Sequence, residues 1–266
     1  MKKGVFMRNA MICRVIVLFF CSCLILSGCS KREKISGLQQ LEGKEFAIPT
    51  GTVADQLVLS KLPTAKFKYF NSVMDAVIAV KSGKADAAAY DEPILKNIAA
   101  KNSGLVVLKE MITVDNYGFA VRLNDRELKK TIDAVVAELK RDGTTEKMMK
   151  RWFPSTGNPA PMPEIASGGG NGVLRMGTAS VTEPFSFVDG SGGVVGYDIE
   201  LARRIAKKLD KRLEIVNMDF GGMIPALISG KVDMIAACIT ITDERSKQVL
   251  FSQPYYTGGI AALVRE

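Results

Sequence analysis

The most informative absence in this sequence of 266 residues is histidine, which does not occur. Its absence excludes Ser-His-Asp and Cys-His catalysis, zinc sites with histidine ligands and imidazole acid–base chemistry. No dense basic stripe interleaved with aromatic residues is present, so no nucleic-acid partner is expected. Four of the five cysteines precede residue 30, and only Cys238 lies in the remaining chain, which therefore has no cysteine pair for an intramolecular disulfide.

The composition is that of a folded chain. Hydrophobic residues make up 47% and charged residues 24% of the sequence, and the formal net charge is +8. Such a balance supports a packed core and argues against extensive disorder. The length fits one large domain or two small ones.

The N-terminus is predicted to be a targeting signal. Basic residues open the chain, and the apolar run over 15–26 is too short for an ordinary membrane span. The run leads into Leu26-Ser27-Gly28-Cys29, a motif that resembles the bacterial lipobox, in which the cysteine is acylated and becomes the first residue. We therefore expect a lipoprotein signal peptide over 1–28, a lipid on Cys29 and a polar tether over 29–34. The alternative is a signal anchor with a chance cysteine.

Strand and helix patterns then alternate in two blocks, 35–153 and 173–266, which a Pro- and Gly-rich linker over 154–171 separates. The alternation predicts an α/β fold with largely parallel sheets and helices on both faces. The linker glycines precede a strand rather than follow one, and no Lys-Ser/Thr comes after them, so they do not indicate a phosphate-binding loop.

An internal repeat indicates that the two blocks are built alike. Residues 79–86 and 226–233 match at five of eight positions, and each segment ends a helix, turns at glycine and enters a strand. The strands that follow are predicted to end at Tyr90-Asp91 and at Ile239-Thr240. In open α/β sheets, such ends form the ligand-binding edge. Further strands are predicted over 117–121, 234–239 and 259–264.

Several motifs together resemble the solute-binding proteins of polar amino-acid ABC transporters (family 3). The motifs are Gly196-Tyr197-Asp198-Ile199-Glu200-Leu201, Met218-Asp219-Phe220, Ile224-Pro225-Ala226-Leu227, Ser229-Gly230-Lys231-Val232-Asp233, Ile239-Thr240-Ile241-Thr242-Asp243-Glu244-Arg245 and Phe251-Ser252-Gln253-Pro254-Tyr255-Tyr256. The resemblance implies the two-lobe periplasmic-binding-protein-like fold of type II, with no cofactor and no metal.

The order of the two blocks is the reverse of the family's order, so the chain resembles a circular permutant. Permutation is physically reasonable, because each lobe keeps its own strands and the old termini need only one exposed loop. The implied division is a smaller lobe over 35–114, a hinge strand over 115–121, a larger lobe, and a second hinge strand over 258–266. The larger lobe combines 122–153 with 172–257.

The resemblance also implies a site for an α-amino acid, a zwitterion that needs a fixed cation and an acceptor for its ammonium group. Arg245 matches the family's carboxylate-binding arginine, and its planar fork suits a carboxylate. Thr240 and the backbone around Ile239 add hydrogen-bonding groups beside it. Taken alone, however, an arginine is usually a solvated surface residue.

Across the cleft, Asp91 matches the family's ammonium-binding aspartate. Thr52 and the backbone N–H of Val53 lie at a helix N-terminus, which attracts anions. Phe220 matches the aromatic residue that stacks on the ligand. Simpler interpretations remain open from the sequence alone: Thr52 and Asp91 as helix caps, and Phe220 as a core residue.

Three positions depart from the family pattern. Thr182 stands where the family usually has an aromatic wall, and Cys238 and Val53 each replace a frequent glycine. These departures leave the identity of the ligand more open than its class.

The predicted function is that of a non-enzymatic, lipid-anchored protein of the cell envelope, which binds a polar amino acid and presents it to an ABC permease in the membrane. One alternative is a periplasmic enzyme on the same fold, similar to prephenate or arogenate dehydratases. Against it, Ile94 stands where that subgroup has a glutamate. The other alternative is a ligand sensor without a transport role.

Overall fold

A computed structural model describes residues 34–154, 159–166 and 168–266. The predicted signal peptide, the predicted lipid site at Cys29, most of the tether and part of the predicted linker lie outside the described residues. Within the described residues, no helix has both the length and the apolar character needed to cross a membrane.

Strands and helices make up most of the described chain. The strands are β1 (Glu45–Pro49), β2 (Lys66–Phe70), β3 (Ala87–Asp91), β4 (Leu105–Val107), β5 (Asp115–Tyr117), β6 (Ala120–Arg122), β7 (Val173–Thr178), β8 (Val181–Thr182), β9 (Ser186–Val188), β10 (Val194–Val195), β11 (Arg212–Asn217), β12 (Met234–Ile235), β13 (Val249–Phe251), β14 (Tyr256–Gly258) and β15 (Ile260–Arg265). The α-helices are α1 (Ala54–Lys61), α2 (Val73–Lys81), α3 (Glu92–Lys101), α4 (Arg126–Arg141), α5 (Thr144–Trp152), α6 (Tyr197–Lys208), α7 (Met223–Ile228) and α8 (Asp243–Ser246). Short 3-10 helices cover Leu38–Leu41 and Phe220–Gly222.

Two five-stranded sheets form the centres of two lobes, and their strand orders correspond. The sheet of the first lobe has the order β2-β1-β3-β15-β4, and the sheet of the second lobe has the order β11-β7-β12-β6-β13. In each sheet, three neighbouring strands run parallel and are joined by helices, as the alternating pattern predicts. The predicted two-lobe α/β fold of type II is confirmed.

Each sheet also takes one antiparallel strand from the other half of the chain. β15 lies between β3 and β4 of the first lobe, and β6 lies between β12 and β13 of the second. Between the lobes, β5 and β14 pair antiparallel. The two segments predicted as hinge strands therefore do more than connect the lobes, because most of the segment 258–266 is an inner strand of the first sheet.

Local sequence explains several element boundaries. The side chain of Ser72 accepts a hydrogen bond from the Asp75 N–H and caps α2, and Asp125 accepts one from Leu128 N–H and caps α4. On α6, every residue from Tyr197 to Ala202 is buried, followed by Ile205 and Ala206, so the first turns of this helix are enclosed on all sides.

Two strand predictions are wrong in extent. The strand predicted over 117–121 is interrupted, because the N–H groups of Gly118 and Phe119 donate to Ile239 O and Ser252 Oγ instead of continuing a ladder. The strand predicted over 234–239 ends at Ile235. Cys238, at φ 53°, leaves the extended region that a strand requires.

A buried carboxylate fastens α5, from the first block of the sequence, to α6, from the second. Glu200 is fully buried and accepts hydrogen bonds from Trp152 Nε1 at 2.8 Å, Arg151 Nη1 at 3.0 Å and Arg204 Nη2 at 2.6 Å. Because the two arginines keep part of their surface in water, the cluster avoids the full cost of burying three charges.

We predict that Glu200→Gln lowers the free energy of unfolding by about 2 kcal/mol, since it removes the charge that both arginines contact. Glu138→Gln is the matched control. It breaks an exposed ion pair with Lys208 that also joins the two blocks and should change stability by less than about 1 kcal/mol. The measurement is urea unfolding, and equal stability of the two variants would contradict the assigned role of Glu200.

Candidate functional site

The edges of the two sheets face a common cavity, to which both lobes contribute. It is lined by Thr52, Val53, Ala54, Tyr90, Asp91 and Ile260 from the first lobe, and by Phe220, Cys238, Thr240 and Arg245 from the second. Asp91 ends β3, and Ile260 begins β15 as its direct partner in the sheet. The predicted convergence of Asp91 and Thr240 on one cavity is therefore present in the structure, although Thr240 lies in the segment after β12 and not at a strand end.

Arg245 is positioned by the short helix α8. Thr242 caps that helix by accepting a hydrogen bond from the Arg245 N–H at 3.2 Å. Arg245 is 6% exposed. Its guanidinium donates from Nη1 to Thr240 O at 3.1 Å and lies 5.4 Å from the centre of the Phe220 ring. Burial lowers the pKa of Arg245, but an arginine stays charged at physiological pH. No carboxylate of the described residues pairs with it within 4.0 Å.

Asp91 is the other charged group of the cavity. It occupies the residue before α3, yet its side chain makes no capping hydrogen bond, so the simpler interpretation of Asp91 as a helix cap is wrong. Its Oδ1 atom is buried and has no hydrogen-bond partner within the described chain. Burial raises the pKa of Asp91 to about 7, against the opposing effects of the Tyr117 hydroxyl and of Arg245.

Most of the other residues predicted for the site line one of two adjoining cavities. Thr52, Val53, Thr240 and Cys238 line the cavity with Asp91 and Arg245. The Thr52 hydroxyl donates to Pro49 O at 2.9 Å and accepts only a long contact of 3.4 Å from the Ala54 N–H. Ile239 lines a second cavity beside the first. Phe220 lines both, and it is half-buried rather than a core residue.

Thr182 is the exception. The structure does not bring it to either cavity, because its side chain is buried and its hydroxyl donates to the carbonyl oxygens of Ala179 and Ser186 at 3.0 and 3.3 Å.

Cys238 adopts a backbone conformation that usually belongs to glycine. Its φ of 53° lies in the left-handed region, which glycine adopts at less cost than any residue with a Cβ atom. The thiol is buried, and that burial raises its pKa well above the usual value. Cys238 is therefore a neutral side chain that narrows the cavity.

Sequence reasoning missed a second buried carboxyl group, which interacts with the Cys238 backbone beside the cavity. Asp198 is fully buried at the start of α6, and burial raises its pKa to about 7. The Tyr255 hydroxyl and the Cys238 backbone oppose this shift, yet neither carboxylate oxygen has a described partner at hydrogen-bond geometry. The sequence signal, an aspartate in a helix N-terminal turn, is common on protein surfaces and does not reveal burial.

The lobes are closed upon each other at this site. The cavity that contains Asp91 measures about 10 Å³ and the adjoining one about 40 Å³. The first volume holds about one water molecule. The backbones of Gly51 and Gly221 meet across the cleft, and a Cβ atom on Gly51 would lie 2.7 Å from Gly221 Cα. Any ligand larger than water therefore enters only when the lobes separate.

Family comparisons match the two blocks of the chain to different models. Residues 174–266 match the bacterial extracellular solute-binding proteins, family 3. Residues 29–159 match a model described as ABC transporter, phosphonate, periplasmic substrate-binding protein.

Curated relatives cover only part of the chain. The arginine-binding extracellular protein ArtP of Bacillus subtilis is 44% identical over 88 residues, which is 33% of this chain and 34% of that protein. The amino-acid-binding protein AabA of Dichelobacter nodosus is 32% identical over 131 residues, which is 47% of this chain and 52% of that protein. The chain thus spans about a third to a half of the relatives that it matches.

Solved structures give the same partial coverage. The arginine-bound form of domain 1 from TmArgBP is 43% identical and covers 35% of this chain and 80% of that domain, with a TM-score of 0.32. An ancestral arginine-binding protein bound to arginine is 55% identical to this chain. The matched region covers 32% of this chain and 37% of that protein's chain, with a TM-score of 0.31.

We predict that Asp198→Asn reduces the dependence of stability on pH. A carboxyl group with a raised folded-state pKa binds more protons in the folded than in the unfolded chain, so its contribution to stability is lost as pH rises from about 4 to about 7. When the pH is raised from about 5 to about 8, the free energy of unfolding should fall in the wild type by about 2 kcal/mol more than it falls in the variant.

The control for this prediction is Glu127→Gln, which removes an exposed carboxylate from the first turn of α4 and so matches the helix position. Urea unfolding at the two pH values checks it. A pH dependence of Asp198→Asn equal to that of the wild type would show that Asp198 is ionised in the folded protein at both values.

Proposed function

We propose that this chain, which belongs to the bacterial extracellular solute-binding proteins of family 3, binds an α-amino acid in the cleft between its two lobes. Arg245 holds the α-carboxylate and Asp91 holds the α-ammonium group. Thr52, Val53, Thr240 and the backbone at Ile239 supply further polar contacts. The protein acts as a binding protein and not as an enzyme.

The observation that supports this proposal is that two opposite charges line one cavity from facing lobes without a salt bridge between them. Asp91 comes from the first lobe, and its Oδ1 atom has no hydrogen-bond partner in the described chain. Arg245 comes from the second lobe and donates to a neutral carbonyl oxygen, Thr240 O, rather than to a carboxylate. A zwitterion satisfies both groups, and each charge-assisted hydrogen bond contributes about 1.5–3 kcal/mol. A few such bonds with stacking on Phe220 give micromolar affinity, about −8 kcal/mol.

The same arrangement links binding to closure. Because the two charges lie on different lobes, the ligand contacts both only when the lobes are closed, and it therefore favours the closed form. Delivery to a transporter requires that the transporter distinguish the open, ligand-free form from the closed, ligand-bound form. We propose that the closed form is presented to an ABC permease.

Two further features belong to this proposal. A lipid on Cys29 would tether the protein at the cell envelope and keep it near the permease. The chain is also proposed to be circularly permuted, with its lobes and hinge strands at the boundaries that the family resemblance implies. The exchange of β15 and β6 between the sheets supports this, since it assembles two matching sheets from blocks in reversed order.

A phosphonate is the second candidate ligand, because residues 29–159 match the phosphonate-binding model. A phosphonate without an amino group would pair with Arg245 but would place its negative charge beside Asp91, which disfavours it. The dehydratase alternative gains no support from Ile94, whose side chain is buried in the core.

We predict that Arg245→Ala weakens amino-acid binding by about 2 kcal/mol or more, roughly 30-fold, since the carboxylate is then buried without its cation. The measurement is titration calorimetry with the common amino acids, with methylphosphonate as a comparison ligand. The control is Arg212→Ala, because Arg212 is exposed at the opposite end of β11 from the cleft.

Two results would contradict the proposal. Unchanged amino-acid binding by Arg245→Ala would remove the assigned carboxylate site. Binding of methylphosphonate in preference to every amino acid would replace the ligand class.

We further predict that Gly51→Ala weakens binding by about tenfold, because the added Cβ atom meets the Gly221 backbone and lowers the population of the closed form. Gly104→Ala is the control. Gly104 has the same φ of +80° as Gly51, but a Cβ atom there meets nothing within 4 Å. Titration calorimetry measures the affinity of both variants for the amino acid. Because both substitutions strain the backbone alike, only the contact with Gly221 can make Gly51→Ala bind more weakly than Gly104→Ala. Equal affinities of the two variants would refute the role of this contact in closure.

A further inference from the structure

The second cavity beside Arg245 is apolar. Apart from Arg245, it is lined by Phe220, Met223, Ile224 and Ile239, with Gly51 and Gly221 closing it from the two lobes. We infer that this cavity is the side-chain subsite and that it selects an amino acid with an uncharged, apolar side chain. This inference rests on the proposed function.

The path from one cavity to the other follows Phe220 and Arg245, which line both. A carboxylate on the Arg245 guanidinium and an ammonium group on Asp91 fix the two α-substituents of the ligand in the first cavity. The remaining substituent then extends along the Phe220 ring toward Met223 and Ile224. Met223 and Ile239 are buried, so a side chain that reaches them leaves water.

The available charges leave none for a ligand side chain. Of the residues that line the two cavities, only Asp91 and Arg245 are charged, and the α-groups use both. Asp219 and Glu244, which neighbour lining residues in the sequence, are exposed and line neither cavity. A cationic side chain would therefore be buried without a counter-charge, which is strongly unfavourable.

This conclusion departs from the polar amino acid that the family resemblance implies. Relatives are named for arginine, histidine and cystine. The α-carboxylate site is compatible with any of these ligands, whereas the second cavity offers a charged or strongly polar side chain no partner. Selectivity thus depends on residues beside Arg245, not on Arg245 itself.

The test compares norleucine with ornithine by titration calorimetry, at a pH above the Asp91 value of about 7. The two ligands have side chains of the same heavy-atom length and differ only in a terminal methyl or ammonium group. Glutamate adds an anionic side chain. We expect norleucine to bind about tenfold or more tightly than either charged ligand.

A variant pair tests the location of the subsite. Ile224→Glu places a carboxylate in the second cavity from a half-buried position and should reverse the preference toward ornithine. Ile228→Glu makes the same change on the same helix, but Ile228 is 54% exposed and lines neither cavity. This variant should therefore prefer norleucine over ornithine as the wild type does.

The outcomes separate this inference from the proposed function. If ornithine or glutamate binds the wild-type protein as tightly as norleucine, the inference is overturned and the proposed function stands. If none of the common amino acids binds, both are overturned. Should Ile224→Glu not fold, the wild-type comparison alone still decides.

Discussion

Ligand binding and closure both depend on one electrostatic constraint: a carboxylate and a guanidinium are buried on facing lobes, in one small cavity, and form no salt bridge with each other or with another described residue. Keeping Asp91 and Arg245 away from water is costly, and the described protein does not offset that cost by pairing them. A zwitterionic ligand that bridges them does offset it. Because the two groups belong to different lobes, the same contacts that hold the ligand also favour closure, so recognition and conformational change have a common physical origin.

The scaffold makes this constraint possible by exchanging strands. Asp91 lies at the end of β3, where its neighbour in the sheet is Ile260 at the start of β15, a strand from the far end of the sequence. On the other lobe, β6 lies between β12 and β13 in the equivalent position. Each site wall therefore rests on a sheet assembled from both blocks of the chain, and the Glu200 cluster fastens the same two blocks through their helices.

Local patterns predicted the parts of the fold that local interactions determine. The α/β class followed from the alternation of strand and helix patterns, and the similarity of the two halves followed from the internal repeat. The early end of the strand at Ile235 could not be inferred from the sequence, because the apolar run continues without a break to Ile239. Arg245, Asp91 and Phe220 were found through family motifs rather than composition. Thr182, the buried Asp198 and the lining position of Ile224 depend on three-dimensional packing that a sequence pattern does not encode.

The most direct measurement is a crystal structure of the protein grown with norleucine, or with whichever common amino acid binds most tightly. We expect closed lobes, with the ligand carboxylate about 3 Å from the Arg245 guanidinium and the ammonium group at a similar distance from Asp91. A ligand seated elsewhere, or one whose α-groups leave either of these two side chains without a contact, would contradict the zwitterion-bridging mechanism.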